Sequence, residues 1–306
     1  MVLFIIKRII SSIPILLGVT LLIFILLHIV PGDPVTLMMN DHVDPDTIAR
    51  VRAQMHLDEP IYIQYFNFIW DALHGDFGVS YKMNRPVATL LWDAFPNTLV
   101  LATAAMIFSW VVGVPAGILS VVKKYSVIDY FFMGSALLGV SMPVFWSGLL
   151  LQYIFAFTLG WLPVSGFDNI LCLIMPAVVL GWGAAGTIAR LTRSSLLEVM
   201  GNDYIRTARA KGLSAIAVLF NHALKNSFLP VVTVMAIQVA SMLSGSVITE
   251  TIFSIPGIGR IAVNAIQTRD LPLLQGSILF TTILVILGNL AADMMYFFLD
   301  PRIKNK

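Results

Sequence analysis

One charged segment of this chain reads Asp203-Tyr204-Ile205-Arg206-Thr207-Ala208-Arg209-Ala210-Lys211-Gly212. Its charge alone supports nothing beyond a solvated loop, but its helix start and stop signals are more than a plain connector needs. Asp203 can cap the start of a short helix, and Arg209 and Lys211 suit its far end, where the helix dipole favours cations. Gly212 can adopt the left-handed conformation that stops it. Elsewhere the reactive side chains are scattered. Ser, His and Asp form no constellation that would activate a nucleophile, so no catalytic residue is assigned. His28, His42, His56, His74 and His222 lack metal-ligand spacing, so no metal site is assigned. Cys172 is the only cysteine, which excludes an intrachain disulfide. No Gly-x-x-x-x-Gly-Lys-Ser/Thr phosphate loop is present, so this chain cannot hydrolyse ATP itself.

The elements that must hold this cluster are apolar. Of 306 residues, 58% are hydrophobic and 12% charged, against about 25% charged in soluble domains. A bilayer accepts that much apolar surface. The net charge of +2 gives a nucleic-acid partner no support. Six segments reach the length of about 20 apolar residues that a spanning helix needs: roughly 9–30, 97–122, 130–159, 171–190, 229–250 and 275–298. The first is too long for a secretory h-region and lacks a small-residue cleavage site, so it reads as an uncleaved span. The third is interrupted at Ser141-Met142-Pro143, and Pro115 stands between Gly113 and Gly117 in the second. Each proline removes a helical hydrogen bond and predicts a kink. Orientation follows from Lys and Arg. With a cytoplasmic N-terminus, the inside segments hold Lys7, Arg8, Lys123, Lys124, Arg190, Arg193, Arg206, Arg209, Lys211, Lys225, Arg302, Lys304 and Lys306. The outside then holds only Arg50, Arg52, Lys82, Arg85, Arg260 and Arg269. Both termini are expected in the cytoplasm.

Three connections carry more than turns. The first outside loop, 31–96, predicts a small helical cap. Asp44-Pro45 and Asp58-Glu59-Pro60 are helix starts. Ile61, Tyr62, Tyr65, Phe66, Ile69 and Leu73 fall on one face, and Gly75 is a stop. Val87, Leu90, Leu91, Ala94 and Phe95 form a further stripe that suits a helix along the membrane surface. The cytoplasmic loop, 191–228, holds the charged helix and is too long for a plain connector. The last outside loop holds Ile255-Pro256-Gly257-Ile258-Gly259. There Pro-Gly predicts a type II turn with Gly257 at positive φ, followed by an apolar stripe of Ile261, Ala262, Ala265 and Ile266.

These segments, in this order and spacing, resemble the permease subunits of the dipeptide/oligopeptide/nickel ABC importers. The similarity runs nearly the whole chain. It includes Pro31-Gly32-Asp33-Pro34, Leu57 to Ile61, Gln64-Tyr65 and Gly75-Asp76-Phe77-Gly78. It continues through Gly139 to Pro143 with Phe145-Trp146, and Gly160-Trp161-Leu162-Pro163. Glu250 to Phe253, Pro256 to Arg260 and Asp300-Pro301-Arg302 complete it. Asp203 to Gly212 is similar to this family's form of the ABC permease "EAA" loop. It departs from the general pattern: Arg206, Thr207 and Ala208 stand where Glu-Ala-Ala does, and His222 to Lys225 where Ile-x-Leu-Pro does.

The resemblance implies an all-α ABC importer type I permease fold with six spans. It implies an N-terminal extra span (1–30), an extracytoplasmic cap (31–96), a core of five spans (97–299) and a tail (300–306). It implies a coupling helix seated in an ATP-binding subunit, with Asp203, Tyr204, Arg206, Thr207, Ala208, Arg209, Ala210, Lys211 and Gly212 at the contact. The gate and translocation path are expected around Ser141, Pro143, Glu250, Pro256, Gly257 and Gly259. No cofactor is expected on this chain; ATP and Mg belong to partner subunits. The implied partners are a second homologous permease, one or two ATP-binding subunits, an extracytoplasmic solute-binding protein and membrane lipid. The expected location is the bacterial inner membrane, and the solute a dipeptide, oligopeptide, glutathione or nickel chelate. Glu250 either pairs with Arg260 or lines the gate, and Asp293 pairs with a coupling-loop Arg or is hydrated at the interface. The alternative, a secondary transporter driven by an ion gradient, predicts an internal repeat and midplane ionisable groups. Neither is visible.

Overall fold

A computed structural model describes residues 2–29, 52–53, 58–244 and 246–299. The motifs at 31–34, 44–45 and 300–302, and Leu57, lie outside the described residues. The chain folds as two compact units: Met1–Thr98 with Pro256–Ile286, and Leu99–Ile255 with Leu287–Lys306. Among the described residues, five helices are long and apolar enough to cross a membrane, and a sixth span is counted if one bent pair is a single crossing.

In the first unit, helix α1 (Val2–Ile29) turns Ile9, Ile10, Leu22 and Leu26 outward, as lipid contact requires. Its buried Thr20 hydroxyl bonds the Leu16 carbonyl at 2.9 Å and meets the Tyr65 hydroxyl at 3.0 Å. Phe24 packs edge-on against the Tyr65 ring. Tyr65 belongs to α2 (Ile61–Leu73), which stops at Gly75 with φ +79° as its glycine predicts. Only part of the apolar stripe of α2 is packed inside the unit: Tyr65 meets α1, while Ile61, Tyr62, Phe66 and Leu73 are exposed.

A short antiparallel pair follows, β1 (Val79–Ser80) with β2 (Arg85–Pro86). Nothing in the apolar periodicity announces two strands of two residues. The stripe from Val87 to Phe95 is not a separate surface helix. It is the first part of the 36-residue α3 (Val87–Val122), because Val87, Leu90, Leu91 and Ala94 find buried partners in Ile258, Ala265, Leu273 and Phe280. Helix α3 continues through Pro115 without a break.

In the second unit, α4 (Val127–Ser141) and α5 (Val144–Leu151) flank Met142-Pro143. α5 runs on as a π-helical segment, Gln152–Thr158. The two halves meet at 115°, far more than a proline kink. Met142 is extended at ψ 134° and Pro143 at ψ 135°, so two consecutive residues leave the helical region. Proline disfavours the helical conformation in the residue before it, which explains Met142.

Helix α6 (Ile170–Met200) is the most buried of the candidate spans among the described residues. Its Asn169 cap accepts from the Leu171 and Cys172 amides. Glycines let its neighbours approach backbone to backbone: a Cβ at Gly113 of α3 would stand 2.7 Å from the Ala185 carbonyl oxygen, and one at Gly186 would collide with the Ala136 carbonyl of α4. Small residues at helix contacts are how membrane helices pack closely. The chain then forms α7 (Asp203–Ala210), α8 (Ala215–Ala217) with a π segment (Val218–Leu224), α9 (Lys225–Ser244) and α10 (Ser246–Ile252). Helices α11 (Ile258–Thr268) and α12 (Leu271–Leu299) complete the order.

Candidate functional site

The charged segment is a two-turn helix with one apolar edge. Ile205 and Ala208, three residues apart, are buried against Leu196 of α6 and Val218, Leu219 and Ala223 of the π segment. Ile118 and Val121 at the end of α3 pack on the same cluster. Asp203, Tyr204, Arg206, Thr207, Arg209, Ala210, Lys211 and Gly212 are all exposed. The cap differs by one residue from expectation. Asn202 occupies the N-cap and Asp203 is the first helical residue, still where a carboxylate complements the dipole.

The stop is as expected. Gly212 has φ +79°; its amide bonds the Arg209 carbonyl at 3.0 Å, and the Leu213 amide bonds that of Ala208 at 3.4 Å. That pair of bonds is a Schellman stop. A Cβ at Gly212 would meet nothing within 4 Å, so the backbone angle alone demands glycine there. The Tyr204 hydroxyl accepts from Asn226 Nδ2 at 3.2 Å, fastening α7 to the start of α9. Arg206 and Asp203 pair at 3.4 Å with both side chains largely in solvent. Such a pair contributes little to stability, which leaves both charges available to a partner.

The six residues expected at the gate are divided between the two units. Ser141 and Pro143 flank the α4–α5 bend and are exposed. Glu250 is fully buried in α10. Pro256, Gly257 and Gly259 belong to the other unit. Gly257 has φ −102°, so the Pro-Gly turn is not type II. The left-handed residue in this connection is Ser254, at φ +56°. Gly257 instead serves as the N-cap of α11 without a side chain. Thr98 supplies the missing acceptor, its hydroxyl taking the Ile258 amide at 2.9 Å, and Asn97 Nδ2 donates to the Pro256 carbonyl at 2.8 Å.

Sequence reasoning missed three features. One is a cavity of about 360 Å³ beside the bend, where Met142 and Val144 face Thr187 of α6 and Gln238 and Ser241 of α9. Gln238 Nε2 donates to the Ala184 carbonyl at 3.4 Å, while its Oε1 has no hydrogen-bond partner among the described residues. Polar side chains inside apolar runs were the available signal.

The second is Asp129, whose carboxylate takes both arms of Arg193: Nε to Oδ1 and Nη2 to Oδ2, each at 2.9 Å. Its side chain is 3% exposed and that of Arg193 is 24% exposed. Arg193 therefore sits within α6, not in a free loop.

The third is Asp270, fully buried at the start of α12 in the first unit. The Ser80 hydroxyl donates to its Oδ2 at 2.5 Å, and the Lys82 and Leu273 amides donate to the carboxylate at 3.4 and 3.3 Å. Burial, and secondarily the Asp270 carboxylate, push the neighbouring Tyr81 phenol above its usual value.

Known proteins share this architecture. Residues 113–305 match the family described as "Binding-protein-dependent transport system inner membrane component", and residues 1–102 match the N-terminal model of the same membrane component. The chain belongs to this family. It is similar to the dipeptide transport system permease protein DppB of Escherichia coli (strain K12), at 41% identity over 99% of both chains. It is also similar to the glutathione transport system permease protein GsiC of the same strain, at 40% over 99% of both. Among solved structures, the inward-facing MetNI methionine ABC transporter matches with a TM-score of 0.58 at 20% identity, covering 69% of this chain and 96% of that one. The last match speaks to fold alone. The resemblance read from the motifs is thus borne out: this is a multi-pass permease subunit of a binding-protein-dependent ABC importer, and its task is passage of solute, not catalysis.

Proposed function

We propose that this permease imports short peptides, with both termini in the cytoplasm and α7 as the element that an ATP-binding subunit grips. The observation that carries the reading is the construction of α7. Two apolar side chains anchor it, a Schellman stop ends it, and its charged residues face outward. The contact residues are Asp203, Tyr204, Arg206, Thr207, Arg209, Ala210, Lys211 and Gly212, with Ala208 as an anchor. The names of the relatives, dipeptide and glutathione permeases, support a peptide-like solute. Neither is named for nickel.

The assembly has a second, homologous permease chain, because one bundle of five or six spans is small for a peptide path. One or two ATP-binding subunits carry ATP and Mg, and an extracytoplasmic binding protein delivers solute. Closure of the ATPases moves α7, and the spans open outward. The translocation path runs by the α4–α5 bend at Ser141 and Pro143, where Thr187, Gln238 and Ser241 supply hydrogen-bonding groups suited to peptide amides. Glu250, Pro256, Gly257 and Gly259 act at the outer gate.

Affinity purification of the tagged chain from native membranes tests the reading. The expected result is co-purification of a second permease and ATP-binding subunits, with vanadate-sensitive ATP hydrolysis. A chain that emerges alone or as a homo-oligomer without ATPase activity, in every mild detergent tried, contradicts it.

A further inference from the structure

The ion pair between Asp129 and Arg193 joins two helices at the level where α7 attaches. Asp129 lies in the first turn of α4. Its Oδ2 also accepts the Tyr125 amide at 3.0 Å, and Tyr125 holds the left-handed angle φ +62° that turns the chain from α3 into α4. One carboxylate therefore fixes the α3–α4 turn and, through the guanidinium fork, the side of α6. Arg193 stands seven residues before Met200, about 10 Å along α6 at 1.5 Å per residue. Beyond Met200 the chain turns directly into α7. The same hydrophobic cluster that anchors Ile205 and Ala208 includes Ile118 and Val121 of α3, just before that turn. Toward the other end of α4, the Gly186–Ala136 and Gly139–Trp182 contacts bring α4 hard against α6, and α4 ends at the 115° bend.

We propose that Asp129 and Arg193 are positioning residues that make α4 follow α6 and α7, so that displacement of the coupling helix reaches the Ser141–Pro143 bend. The physical basis is direction. A monodentate contact permits rotation about the bond, whereas a bidentate fork fixes two atoms of each group and resists both twist and slide between the helices. With Asp129 buried and Arg193 partly buried, salt screens the pair much less than it does a surface pair. Stability alone is a weak reason for such a pair, since two apolar side chains of similar volume commonly serve a buried site as well or better.

This inference rests on the ATP-driven reading above, and the experiment separates the two. The full complex is reconstituted in liposomes with its binding protein. ATP hydrolysis and uptake of a radiolabelled pool of di- and tripeptides are measured together, giving solute moved per ATP. R193K keeps the charge but loses the fork. The double variant Asp129→Leu/Arg193→Met keeps packing without charge. Both are expected to assemble and hydrolyse ATP near the wild-type rate while solute moved per ATP falls about tenfold, because the directional constraint is gone. Wild-type coupling in R193K overturns the proposal. So does loss of the assembled complex in R193K, because that marks a pair needed for folding alone. If the double variant does not assemble, R193K decides by itself. Absence of ATP-driven uptake in the wild-type complex is a different failure, that of the importer reading itself.

Discussion

Two of the buried carboxylates, Asp270 in one compact unit and Asp129 in the other, are satisfied in opposite ways. Asp270 takes donors that carry no formal charge: the Ser80 hydroxyl and the amides of Lys82 and Leu273. It sits at the start of α12, where the helix dipole favours an anion, and ties the β1–β2 pair to that start. Asp129 takes a full cation, Arg193, from a helix 64 residues away in sequence. Removing Asp270 therefore breaks hydrogen bonds but strands no opposite charge. Removing Asp129 leaves a guanidinium facing a largely buried site. One carboxylate closes a local clamp, and the other joins two long helices.

The largest expected effect breaks that contrast on its charged side. Asp129→Ala or Arg193→Ala alone should destabilise by about 3 kcal/mol, since each leaves an uncompensated charge. Thermal unfolding of the purified complex measures it. Asp270→Ala should cost less, about 2 kcal/mol, for the orphaned Ser80 hydroxyl and the lost helix cap. If the two losses were equal, the distinction between stranded charge and lost hydrogen bonds would not hold.

Asp270→Asn sharpens the comparison from another side. Tyr81 titrates above its usual value, so its neutral form is favoured in the fold, and that contribution is present below the ordinary phenol pKa and lost as pH rises through the raised one. Removing the Asp270 charge should bring the Tyr81 titration down, followed by ultraviolet difference absorbance against a Tyr81→Phe control. The shift should be partial, because burial is the larger cause.

Gly212→Val should cost about 1–2 kcal/mol, because a side chain at φ +79° is strained even with open space around it. The chain should still insert, while peptide uptake is lost. Wild-type uptake in that variant would remove the coupling role from α7. The smallest effect belongs to Arg206→Ala. Its partner Asp203 is 95% exposed, so stability should change by less than about 0.5 kcal/mol.

What was legible beforehand follows the range of the interactions. Gly212 and Gly75 were readable because a left-handed stop is decided by the backbone of a few residues. The apolar spans were readable from length and composition. The α7 start was misplaced by one residue, since Asn202 and Asp203 are both capable caps and the sequence does not rank them. Gly257 was misread for a tertiary reason: Thr98 supplies the cap hydrogen bond to Ile258, 160 residues further along the chain, so no turn at positive φ is needed. The stripe at Val87 to Phe95 looked like a surface helix because its partners, Leu273 and Phe280, lie far along the chain. Ser141-Met142-Pro143 pointed to a kink, but the extended preference of the residue before proline takes Met142 out of the helix together with Pro143 and makes it a full break. Asp129 and Asp270 were invisible for the same reason, since neither has its decisive partner nearby in sequence.

The central claim is that α7 is the element gripped by the ATP-binding subunits. Cys172 is the chain's only cysteine, so Cys172→Ala gives a background in which a single cysteine at Arg206 can be oxidised against cysteines engineered on the co-purified ATP-binding subunits. The account predicts a crosslink from position 206 to an ATP-binding subunit, formed in the intact complex and altered in yield by ATP. No crosslink from 206, or from cysteines placed in turn at 203, 209 and 211, while the complex remains assembled and active, would contradict it.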